Sequence, residues 1–210
     1  GAAAQAMVTT WVVLRWLRSG ASRWMGVTPA LLIPVVGNVL LPLAGLSLGH
    51  STWSLVQWAV GALLWPAVLL LLVLRLQRLG VWPARMRPSA FILIAPPSVM
   101  GLGLMLWQMP LVWSLTLWGA ALAFVTLALR QLPQCFDQPF GWPMWSLSFP
   151  LTAFAALTLR LANAGVLPQL LALVVLALAS VVVAALMRWT WWGLRSGELL
   201  QPEPAPVPKP

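Results

Sequence analysis

Long apolar runs, separated by short stretches that carry most of the arginines, divide the chain into one partial and six complete helical spans. A run of about 20 apolar residues is enough to cross the hydrocarbon core of a bilayer. Residues 5–18 (QAMVTTWVVLRWLR) predict the end of a spanning helix, closed by Arg15, Arg18 and the break at Ser19-Gly20. Complete spans are predicted over about 28–48, 52–76, 88–107, 111–129, 141–162 and 166–187. Short turns join them in pairs: Gly49-His50-Ser51, Gln108-Met109-Pro110 and Asn163-Ala164-Gly165. Longer loops over 77–87 and 131–140 separate the pairs. The tail QPEPAPVPKP has no apolar face to bury, so 199–210 reads as a disordered proline-rich segment and 1–198 as the transmembrane domain.

The spans are of two kinds, and the two kinds alternate. The first span of each pair is interrupted: by Pro34, Gly37, Asn38, Leu41 and Pro42 in 28–48, by Pro96-Pro97 with Ser98, Gly101 and Gly103 in 88–107, and by Phe149-Pro150 in 141–162. The second span is leucine-rich and more continuous, with Pro66 as the exception. Proline removes a helix donor and bends the helix, and a freed carbonyl at mid-membrane is tolerated only against protein or a water-filled cavity. The alternation therefore predicts an inner ring of bent helices and an outer ring of straight ones that face lipid. In 141–162, Thr152, Ala153 and Ala156 fall at i+3, i+4 and i+7 from Phe149, which sets one ring above a stripe of small side chains. On spacing alone, Phe149 is either an ordinary packing residue or a plug in a pore.

Composition confirms the class: 61% of the 210 residues are hydrophobic and 7% are charged, a balance that excludes a water-soluble domain of this size. The chain is expected to be an all-α polytopic transmembrane bundle, embedded in a lipid bilayer. Its net charge of +9 does not point to nucleic acid, because the twelve basic residues lie at the ends of apolar segments. Alternate assignment puts Arg15, Arg18, Arg23, Arg75, Arg78, Arg85, Arg87, Arg130, Arg188, Arg195 and Lys209 on one side and Arg160 on the other. By the positive-inside rule the crowded side, with the C-terminus, is cytoplasmic. Many of the fifteen tryptophans lie near span ends, as an interfacial belt requires.

Catalytic and metal chemistry find little to work with. The three acidic residues, Asp137, Glu198 and Glu203, all fall in loops or the tail, so no carboxylate pair is available for acid–base work. One histidine (His50) and one cysteine (Cys135) do not make a metal site, and no cofactor or enzymatic activity is expected. Asn38 and Ser98 are more simply explained by hydrogen bonds to neighbouring helices than by contact with a permeant ion. The chain opens at Gly1 within a helix already under way, with no recognisable cleavable signal peptide, which is expected of a fragment or a processed piece.

Three segments, LLIPVVGNVLLPLAG (31–45), RPSAFILIAPPSVMGLG (87–103) and WSLSFPLTAFA (145–155), resemble the tellurite-resistance/dicarboxylate transporter family. That family includes the bacterial TehA proteins, the plant slow-type anion channels, and yeast malate and sulfite transporters. The resemblance implies ten helices in five hairpins around a central pore, with odd-numbered helices lining it. The partial helix would be the fourth and the complete spans the fifth to tenth. It further implies that Phe149, which matches the phenylalanine before the proline of the ninth helix, plugs the pore, and that Pro34 and Pro96 or Pro97 bend the fifth and seventh helices. A homotrimer in the bacterial inner (plasma) membrane is implied in the same way.

Two functions compete on this reading. One is a gated anion channel, in which small inorganic or organic anions permeate passively through an uncharged, proline-kinked pore lined by the interrupted helices. The other is a secondary carrier or exporter of C4-dicarboxylate, sulfite or tellurite-type oxyanions. A carrier calls for a discrete mid-membrane binding site, usually with a charged or strongly polar group, and none is visible in these spans. A membrane protein that assembles with partners and transports nothing is a third, different class.

Overall fold

The computed structural model describes residues 1–18, 24–136 and 140–200. Arg23, Asp137, Pro139, Glu203, Lys209 and most of the proline-rich tail lie outside the described residues. In chain order the helices are α1 (Ala2–Arg18), α2 (Leu32–Val39), α3 (Leu41–Gly45), α4 (Ser51–Leu79), α5 (Ala95–Leu106), α6 (Leu111–Leu129), the short α7 (Leu132–Cys135), α8 (Ser148–Asn163) and α9 (Gln169–Arg195). Among the described residues there is no strand, and five segments are long and apolar enough to cross a membrane. This is an all-α polytopic membrane bundle.

Each interrupted span enters through a 3₁₀ segment and continues as an α-helix. Pro29–Leu31 leads into α2, Ala84–Ile94 into α5 and Trp142–Leu147 into α8. The prolines sit just past the change: Pro34 is the third residue of α2, Pro96 and Pro97 the second and third of α5, and Pro150 the third of α8. The hydrogen-bond register shifts there from i−3 to i−4, and first-turn positions are where a missing donor and a bulky ring cost least. The bend expected from proline inside a continuous helix is thus a change of helix type with proline at its start. The span expected over 28–48 goes further and divides again at Leu40, with Pro42 in the first turn of α3.

Burial separates the interrupted helices from the continuous ones. The apolar windows of Ala84–Leu106 and Trp142–Asn163 are 67% and 50% buried, against 17% for each of α4, α6 and α9. α5 stands between α2 and α8 in the inner row, while α4 backs α2 and α3, α6 backs α5, and α9 backs α8. Small residues set the spacing. A Cβ on Gly61 of α4 would fall 3.0 Å from the Val35 carbonyl oxygen, and one on Gly101 of α5 would fall 2.9 Å from Leu157 Cδ2 of α8. Without a hydrophobic drive between helices in lipid, such close packing and interhelical hydrogen bonds are what hold the rows together. The bonds include Ser114 Oγ to the Gly101 carbonyl at 3.0 Å, Trp118 Nε1 to Thr158 Oγ1 at 2.9 Å and Trp145 Nε1 to Thr190 Oγ1 at 2.9 Å.

The short turns fall where they are expected. After α8, Gly165 takes φ 76° and the Val166 N–H reaches back to the Leu161 carbonyl at 3.0 Å, closing the helix with a left-handed residue that only glycine adopts freely. The last helix is longer than expected. α9 has 27 residues, about 40 Å at 1.5 Å per residue, so it outruns a hydrocarbon core of about 30 Å and carries Trp189, Trp191 and Trp192 on its emerging end.

The arginines separate by end of the bundle. Trp16 of α1, Trp24, Val27, Leu76 of α4 and Trp82 meet in one apolar cluster, which brings the ends bearing Arg15, Arg18, Arg75 and Arg78 together. Arg87 donates to Gln134 at 2.8 Å, and Phe136 and Phe140 pack on Trp189, so the ends with Arg130, Arg188 and Arg195 join the same side. Arg160, in the last turn of α8, lies at the opposite end.

Candidate permeation pathway

The first turn of α8 presents Phe149 outward. Its side chain is 42% exposed, and Thr152 and Ala156 follow it on the same uncovered face. Pro150 and Ala153 turn the other way: Ala153 is buried with Val36, Val39, Ala95, Val99 and Met100, where α8 and α2 meet α5. The stripe of small residues is therefore split between an open face and a packed one. Its two halves do different things.

On the other flank, α2 and α3 leave Ile33, Leu43 and Ala44 exposed, with Gly37, Leu40 and Leu41 half-buried. Pro34 and Asn38 are buried toward α1. Asn38 Nδ2 donates to Thr9 Oγ1 at 2.8 Å and to the Pro34 carbonyl at 2.7 Å. Gln5 Nε2 donates to the same two oxygens, at 3.2 Å and 3.1 Å. Gly37 leaves room for the Gln5 amide, which lies 2.4 Å from where a Cβ would stand.

In the middle, α5 is almost wholly enclosed. Pro96, Pro97, Ser98 and Gly101 are all buried, and Ser98 Oγ donates to the Ile94 carbonyl at 2.7 Å. Of the residues singled out from sequence, Phe149, Thr152 and Ala156 share one open face, Leu41 and Gly37 edge the other flank, and the remainder pack helix against helix. Gln5, Thr9, Gly61 and Trp118 hold that packing and were not singled out. A glutamine and a glycine inside apolar runs were the available signals for two of them.

The open faces carry no acidic residue and are short of free donors; on the α8 face Arg160, exposed one turn beyond Ala156, brings a positive charge at the far end. The hydroxyl of Thr152 is turned back to the Ser148 and Phe149 carbonyls at 3.1 Å and 2.9 Å, as those of Ser98 and Thr158 are to their own helices. No acidic residue lies on α2, α5 or α8. No cluster of metal-ligating side chains is present among the described residues. Such walls neither repel an anion nor grip one.

The family model SLAC1, described as voltage-dependent anion channel, matches residues 1–191. The chain belongs to the SLAC1 family. Membership makes it an integral-membrane protein with a role in anion transport, in keeping with its long apolar helices. It is the same family that the three proline-bearing segments resemble. The match runs from α1 into the tryptophan-bearing end of α9, so the described SLAC1 bundle lies almost entirely within it. No curated protein matches the chain.

Proposed function

We propose that this SLAC1-family chain supplies walls of a gated anion channel, and that Phe149 is the plug. The observation that carries the reading is the position of Phe149: an exposed aromatic ring on the inner row, at the change from 3₁₀ to α-helix, directly above Thr152 and Ala156. A ring in that position occludes a narrow passage when it points inward and clears it when it rotates. The 3₁₀ segments of the inner helices supply the natural hinge. Pro34, Gly37, Asn38, Leu41, Pro96, Pro97, Ser98, Gly101 and Pro150 shape the bent walls, most of them from behind.

Passive permeation follows from the chemistry of the faces. With no acidic residue on the walls, Arg160 only at their far end, and hydroxyls turned back on their own carbonyls, anions are not repelled and are bound weakly, which favours throughput over capture. The arginine-rich end is assigned to the cytoplasm by the positive-inside rule, which puts the C-terminal end of α9 there too. A homotrimer belongs to the same reading through the family resemblance.

The test is anion flux in proteoliposomes, made with the full-length protein and with its Phe149→Ala variant. A severalfold rise in chloride or nitrate flux in the variant, with no imposed proton or sodium gradient, supports the channel and its plug. Silence toward small anions combined with gradient-driven exchange of malate, sulfite or tellurite puts a carrier in its place.

A further inference from the structure

The arginine-rich end of α4 holds a charge that the described chain does not answer. Arg75 is only 6% exposed, yet among the described residues no carboxylate pairs with it. One of its terminal nitrogens donates to the Gly80 carbonyl, its guanidinium lies 5.0 Å from the centre of the Trp82 ring, and its Nε is buried without a partner. Three residues on, the exposed Arg78 stacks over Trp24 at 4.3 Å. A buried cation held this way still favours an anion close by.

Next to this end, between α1, α2 and α4, is a half-open cleft of about 60 Å³. Trp16, Pro34, Leu64, Val68 and Leu71 are among its lining, and the one hydroxyl there, that of Thr9, is turned back to the Gln5 carbonyl at 2.8 Å. Leu71, Arg75 and Arg78 fall at i, i+4 and i+7 on α4, so the cationic pair continues the same helix face one turn beyond the cleft. Trp16, Trp24 and Trp82 gather around the junction, where an interfacial belt places them. An apolar cleft at membrane depth that ends in two arginines at the interface suits a ligand with hydrocarbon at one end and a phosphate at the other.

We infer that this is a binding site for an anionic phospholipid. A stretch of one acyl chain lies in the cleft, and the phosphate is held by Arg78 with Arg75 behind it. Basic pockets between transmembrane helices recognise anionic headgroups by this combination of charge and depth. The inference does not depend on Phe149 or on conduction, and its readout is lipid and not flux.

The full-length protein, expressed in bacterial membranes and purified in mild detergent, is analysed for retained phosphatidylglycerol by native mass spectrometry. Wild type is expected to keep one molecule per chain. Arg75→Gln and Arg78→Gln should each lower its occupancy about fivefold, the factor expected for one arginine near a headgroup. Val68→Trp, which fills the cleft, should lower it without touching the charge, and Arg75→Lys should keep most of it. Arg188→Gln removes a comparable arginine–tryptophan pair on α9, 5.1 Å apart, and should change nothing. Absence of retained lipid, equal loss in Arg188→Gln, or retention of a neutral lipid that ignores both arginines would each overturn the inference.

Discussion

Asn38 of α2 donates its side-chain amide to Thr9 Oγ1 of α1 at 2.8 Å, and the same amide bonds the Pro34 carbonyl one turn back at 2.7 Å. The bent α2 is thereby tied to α1 at the turn where its proline sits. In the membrane such interhelical bonds contribute modestly, so Thr9→Val or Asn38→Leu should cost about 0.5–2 kcal/mol each. The two changes share one bond, and the double variant should cost clearly less than the sum. Unfolding in mixed detergent micelles, monitored by tryptophan fluorescence, measures this; strict additivity would show that the bond contributes nothing.

Gly61 makes a sharper demand. Its missing Cβ would stand 2.5 Å from Val39 Cγ1 and 3.0 Å from the Val35 carbonyl oxygen, and the second of these is backbone that cannot swing away. Gly61→Ala should therefore push α4 off α2 at a cost of about 1–3 kcal/mol. Gly119 of α6 is the control, since nothing lies within 4 Å of its Cβ position. Gly119→Ala should be neutral or stabilising by up to about 1 kcal/mol, because alanine is the better helix former. The same unfolding assay separates the two, and equal effects would refute the close α2–α4 contact.

The alternation of interrupted and continuous spans was legible because leucine is tolerated on a lipid-facing helix whereas clustered prolines, glycines and asparagine need neighbours; single residues such as Pro66 of α4 and Gly119 of α6, both exposed, escape that rule. The turns at Gly49 and Gly165 followed from that, and so did the gathering of most described arginines at one end, whereas the stretch expected over 28–48 is Pro29–Gly45, shorter than the five membrane-length segments. The 3₁₀ entries did not, because a run such as Ala84–Ile94 carries no residue that distinguishes i−3 from i−4 bonding. The division of the α8 stripe was also hidden. Spacing put Thr152, Ala153 and Ala156 near one another, but the face that meets α5 depends on how the helix is rotated. By residue type Asn38 is more apt to bond a helix than an ion, yet its partner Thr9 lies on a helix 29 residues away and spacing does not name it.

Phe149 and Phe154 separate a plug from a packing residue on the same helix. Phe149 is 42% exposed, while Phe154 is 4% exposed and stacks on Trp118 with ring centres 5.8 Å apart. Phe154→Ala empties a filled site and should cost about 3 kcal/mol or more. Phe149→Ala should cost about 1 kcal/mol or less, since an exposed ring leaves no cavity behind. A large loss of stability in Phe149→Ala would make it a packing residue, whatever its effect on flux.

Orientation can be tested with the chain's own chemistry, because Cys135 is its single cysteine. It is buried, with Sγ 3.3 Å from the Gln131 carbonyl, and should resist maleimides until the protein is denatured. In a Cys135→Ser background, Ala164→Cys and Ser196→Cys place a reporter at each end of the bundle, one beside Arg160 and the other beside Arg195. The arginine-rich end is assigned to the cytoplasm, so an impermeant maleimide should label position 164 in intact cells and position 196 only after permeabilisation. Both positions lie in turns outside the apolar windows, so differences in burial within the membrane do not confuse the result. The reverse pattern would turn the bundle over and place the end that carries Arg75 and Arg78 outside. Labelling of both positions in intact cells would break the link between charge and sidedness on which the assignment stands.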